Sequence, residues 1–70
     1  MIEESLLEKT IMTFIRNRAS QDESTASRHI HRRFDVSMDM ADKILARLVE
    51  KKMILEFYDK EYQERRYILM

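Results

Sequence analysis

The sequence predicts a mainly α domain in which three helices are closed by a small C-terminal β-hairpin, and three observations carry that prediction. Apolar residues recur at helical spacing in three segments. The second and third segments are separated only by the four-residue corner "FDVS" at 34–37. After Lys52 the period changes from helical to alternating, as a strand requires. The whole chain, residues 1–70, reads as one domain.

In "ESLLEKTIMTFIRNRAS", residues 4–20, Leu7, Ile11, Phe14 and Ile15 make one apolar stripe, and Glu3, Glu4 and Glu8 suit the N-terminal end of a helix. Ile2, Leu6 and Thr13 fall on a second face, roughly 100–140° around from Leu7 at 100° per residue. An intramolecular core cannot easily bury both. Polar "SQDES" then interrupts the periodicity without Gly or Pro. Thr25 is the expected N-cap of the second helix, because its hydroxyl can accept from a backbone N–H two or three residues on. Ala26, Ile30 and Phe34 share one face of that helix, and Arg28 and Arg32 point the other way, flanked by His31 and Arg33.

At the corner, Asp35 stands where a helix commonly ends in a left-handed residue, Val36 plugs the turn and Ser37 caps the third helix. Ala41, Ile44, Leu45 and Leu48 form the buried stripe of that helix, leaving Asp39, Asp42, Lys43, Ala46, Arg47 and Glu50 outward. "MILEFYDKEYQERRYILM" then holds two β-rich runs around polar "DKEYQE", which is a hairpin. Met53, Leu55 and Phe57 alternate with Ile54, Glu56 and Tyr58; Arg65, Tyr67 and Leu69 alternate with Arg66, Ile68 and Met70.

Composition narrows the function. A 70-residue core is usually worth only ~3–5 kcal/mol without a staple or partner, and with no Cys there is neither a disulfide nor a thiolate metal site. Help from a second copy of the chain is expected. No apolar run approaches the roughly 20 residues that span a bilayer, and the N-terminus is acidic where a secretory signal is basic, so a soluble cytoplasmic protein is expected. Thirteen basic and thirteen acidic residues cancel, but unevenly: residues 1–10 and 35–50 are net acidic and residues 11–34 net basic. A Gly-rich phosphate loop, a nucleophile with a paired base and a water-excluding cleft are all missing from the pattern, so the expectation is that the protein is not an enzyme, with no cofactor and no small-molecule substrate. His29 and His31, two residues apart, lie about 200° apart on a helix and cannot chelate one ion together, so no metal is expected.

The "TAS" opening of the second helix, Ile30, Phe34, Val36, the Ser37 cap and the run "ILARLVEKKMI" resemble the winged helix-turn-helix superfamily of small prokaryotic and phage-type transcriptional regulators. The resemblance covers nearly the whole chain. It departs at Asp35 and Lys52, where such proteins often carry Gly, and in the third helix, which here is partly acidic. It implies a DNA-binding protein acting in transcription regulation on double-stranded DNA. On that reading Ser27, Arg28, His31, Arg32 and Arg33 hold phosphates, Lys43 and Arg47 approach base edges, and Asp39 accepts from a cytosine amino group beside Ser37. Lys60, Arg65 and Arg66 of the hairpin touch the flanking backbone. Many relatives dimerise through the first helix or terminal elements, so Ile2, Leu6, Ile68 and Met70 are the expected homodimer interface, with half-sites about one helical turn apart. A second reading keeps the fold and makes it a protein-protein interaction module that docks through the mixed-charge face of the third helix.

Overall fold

The structure is a computed structural model that describes residues 4–70. Three helices, α1 (Glu4–Ala19), α2 (Ser27–Phe34) and α3 (Met38–Glu50), precede an antiparallel hairpin of β1 (Ile54–Asp59) and β2 (Glu64–Leu69). Each helical stripe expected from the sequence is turned to one core of Ile11, Ile15, Ile30, Ala41, Ile44, Leu45 and Leu48, which the hairpin closes with Ile54 and the ring of Tyr67. Met12, outside the expected stripe, is also buried, whereas Leu7 and Phe14 are half-covered at the rim. The reason is that α1 is covered from two sides, by the other helices and by the hairpin. Phe14 meets Phe34 edge to face, with ring centroids 5.4 Å apart.

The helix ends follow from local chemistry. Ser37 Oγ accepts from the Met40 amide at 3.0 Å, which caps α3 as expected. Asp35 ends α2 in the left-handed region at φ 54°. Past α3, Lys52 is left-handed at φ 60°, its amide donates to Val49 O and the Met53 amide donates to Leu48 O. This pair of bonds is a Schellman closure built without glycine. Within the hairpin, Asp59 Oδ1 accepts from the amides of Glu61 and Tyr62, which folds the turn.

Thr25 differs from its expected role. The residue that caps α2 is Ala26, with an extended backbone and no side-chain acceptor. Thr25 is instead fully buried and pairs with Tyr67: its amide donates to Tyr67 O at 2.9 Å, and the Tyr67 amide donates back to Thr25 O at 2.8 Å. β2 therefore lies between β1 and the segment before α2. The capping chemistry passes to His29, whose Nδ1 accepts from the Ala26 amide at 2.9 Å. No helix among the described residues is long and apolar enough to cross a membrane.

Candidate nucleic-acid interface

The corner sets α3 beside the hairpin, and a groove runs between them lined by Ser27, Arg28, Met38, Asp42, Glu64 and Arg65. Its floor is the start of α2. Ser27 Oγ donates to Asp42 Oδ1, tying the first turn of α2 to α3. On the opposite wall, Arg28 binds the Glu64 carboxylate through Nε at 3.0 Å and Nη2 at 3.1 Å. That hydrogen bond holds the Glu64 carboxyl below the usual carboxylate range and raises the Arg28 guanidinium.

Glu64 serves a second arginine. Arg66 is buried on the hairpin, its Nε 2.8 Å from Glu64 Oε1, its Nη1 donating to Ser24 Oγ at 3.0 Å and its guanidinium over the Tyr62 ring. Arg18 joins from α1 by donating to the Ser24 carbonyl, with Nη2 at 2.7 Å. His29 lies within the field of these arginines. Burial first, then Arg18, Arg28 and Arg66, push its imidazole down to about 4, so it is neutral at pH 7 and free to accept at its cap position. Arg28 thus holds the hairpin against α2 and Arg66 holds it against the segment before α2 at Ser24, roles that sequence reading could not separate from phosphate contacts.

Lys43 and Arg47 stand on the flank of α3 that meets α1. Arg47 Nη2 donates to Glu4 Oε1 at 2.9 Å and its Nη1 is 3.5 Å from Glu8, while Lys43 Nζ is 3.4 Å from Glu4. Lys51 continues the row onto Glu8, a carboxylate that is itself buried. The bond from Arg47 holds the Glu4 carboxyl below its ordinary value. The signal for this row was present in the sequence, since Lys43, Arg47 and Lys51 repeat every four residues, as Glu4 and Glu8 do. The exposed crest of α3 is Asp39, Asp42, Ala46 and Glu50, with Met38 at its edge and Lys43, 59% exposed while it reaches Glu4, along one side.

Comparison with protein-family models, with curated proteins and with solved structures finds no match to this chain.

The remaining residues fall in two places. His31, Arg32 and Arg33 are exposed together near the end of α2. His31 Nδ1 hydrogen-bonds the Val36 carbonyl, which fixes that nitrogen as the protonated one, and Arg33 lies over the Phe34 ring. Lys60 and Arg65 are exposed on the hairpin, Arg65 only loosely paired, 3.8 Å from Glu56. Of the residues expected at a dimer interface, Ile2 lies outside the described residues, and Leu6, Ile68 and Met70 are exposed. At 100° per residue Leu6 lies about 20° around α1 from Thr13, which lines a cleft with Met53. Among the described residues, no group of three or more His, Asp or Glu is placed to hold a metal ion.

Proposed function

We propose that this chain is a winged helix-turn-helix protein that binds double-stranded DNA as a homodimer in cytoplasmic transcription regulation, without catalysis or a cofactor. The observation that carries the reading is the placement of α3: it is joined to α2 by a three-residue corner, 35–37, exposed along one side, and flanked by a hairpin clamped to α2 through Arg28 and Glu64. An exposed helix with a rigid hairpin beside it is the shape that enters a major groove while touching the adjacent backbone. The phosphate contacts fall to Arg32 and Arg33 on α2 and to Lys60 and Arg65 on the hairpin. Ser37, Met38, Asp39 and Asp42, at the start of α3, face the bases, and a carboxylate there accepts from a cytosine amino group. Lys43 and Arg47 stay with α1.

Binding of a duplex followed by fluorescence anisotropy from low to physiological salt tests this. Affinity falls with salt at a slope near −0.9 per phosphate neutralised, and Arg32→Ala or Arg33→Ala each flattens that slope by about one. Arg47→Ala leaves the slope unchanged. Absence of salt-dependent binding at the lowest salt refutes the reading.

One observation favours the alternative of a protein-docking module: the crest of α3 is acidic once Lys43 and Arg47 are taken by Glu4 and Glu8. Such a face repels a polyanion and suits a basic partner. The two readings respond oppositely to Asp39→Asn with Asp42→Asn, which strengthens nonspecific DNA binding and abolishes docking.

A further inference from the structure

We infer that the outer face of the β1–β2 hairpin is an interface with a second copy of this chain. This rests on the homodimer proposed above for its occupant and supplies the surface.

The strand register sets the face. Leu55 is directly opposite Ile68, and Phe57 is the diagonal neighbour of Ile68. The Met70 amide donates to Met53 O at 3.3 Å, continuing the ladder so that Met53 and Met70 fall on the same side. These five apolar side chains are between 36% and 65% exposed. The other side of the hairpin sends Ile54 and Tyr67 into the core, so the outer side is the one that a sheet finished as a monomer would make polar. Here its open end, from Met53 and Met70 to Leu55 and Ile68, is apolar across both strands, and toward the turn it becomes polar at the buried Arg66, opposite Phe57, and at the Asp59–Glu64 pair.

Size and charge identify the occupant. Five side chains at that exposure present on the order of 400 Å² of apolar surface, the size at which a patch on a monomer is commonly functional. The exposed charge of the rim is polarised along the strands: Lys9 and Arg16 stand beside Met53 at one end, where Glu8 is buried, and Asp22 and Glu23 stand near Phe57 and Ile68 at the other, where Arg66 is buried and Arg18, 3.4 Å from Glu23, is mostly covered. A two-fold axis lying in the face and perpendicular to the strands reverses the strand direction. It stacks apolar on apolar and brings the cationic end of each copy to the carboxylate end of its partner. The face is therefore complementary to itself, as an isologous interface must be.

The mass of the full chain, measured by light scattering from low to several hundred micromolar, tests the inference. The mass rises from one chain to two with concentration. Leu55→Glu with Ile68→Glu holds it at one chain throughout while the thermal melt stays cooperative. Because two new carboxylates on a strand can also damage the hairpin, the rim provides a second probe. Arg16→Glu weakens dimerisation about tenfold, and adding Glu23→Arg restores it. Wild type that stays at one chain overturns both the face and the dimer. A dimer that survives Leu55→Glu with Ile68→Glu, or a charge swap without rescue, overturns the face and leaves the dimer.

Discussion

His29 occupies the third position of α2 and accepts there from the Ala26 amide, a role open only to the neutral imidazole. Its value is lowered from the ordinary 6.5 to about 4. The unfolded chain therefore takes up a proton first as the pH falls. The stability that His29 contributes is complete above pH 6.5 and drains away between about 6.5 and 4, amounting to roughly 1–2 kcal/mol after allowance for solvent screening. Melting temperature against pH checks this: His29→Gln loses the part of the slope in that window and keeps the part below it that comes from Glu4 and Glu64. At the other helix ends, Ser37→Ala removes the cap on α3 at a cost of about 1 kcal/mol. Lys52→Gly relieves a side chain held at φ 60° and gains roughly 0.5–1 kcal/mol in urea titration. The roles of Ser37 and Asp35 were legible because a cap and a left-handed terminus are local events. That of Thr25 was not, because a threonine before a helix looks like a cap until the strand that pairs with it is known.

Between elements, one carboxylate has a disproportionate role. Glu64 joins β2 to α2 through Arg28 and shields Arg66 in its buried position. Glu64→Gln removes that charge, which frees the Arg28 guanidinium in the groove and leaves the buried Arg66 without its nearest carboxylate. Nonspecific duplex affinity then rises and the salt slope steepens by about one, while amide exchange along β2 quickens because the clamp is weaker. A variant that binds no better and exchanges no faster contradicts both the clamp and the placement of the groove. The three helices and the hairpin were legible in the sequence, because the period of the apolar residues fixes which side of each element is inward. For Lys43 and Arg47 only the matched spacing with Glu4 and Glu8 was legible, not their direction. A helical wheel identifies them as outside the core, but which flank meets α1 depends on how the helices cross, and that is set by non-local packing of residues such as Ile11, Ile15 and Ile44.

At the scale of the molecule, a small core stands beside two uncovered surfaces, the acidic crest of α3 and the apolar face of the hairpin. Ile44 is fully buried, and Ile44→Ala costs about 2–5 kcal/mol, comparable with the ~3–5 kcal/mol available to a domain of this length. Circular dichroism of that variant shows a largely unfolded chain at micromolar concentration. Association shifts the balance by mass action, so the wild-type melting temperature climbs with protein concentration, and that of Leu55→Glu with Ile68→Glu does not. The exposed apolar side chains of the hairpin were legible as a surplus, but their assembly on one face required the strand register. The pairing of Thr25 with Tyr67 has a consequence for synthesis. As the chain leaves the ribosome, α1, α2 and α3 emerge with their corner and can make their local contacts, while Thr25 holds open two backbone groups whose partner, Tyr67, is in β2. Until β2 appears, the nascent helices lack the lid that Ile54 and Tyr67 place over the core, and that interval is when the chain is most open to proteases and chaperones.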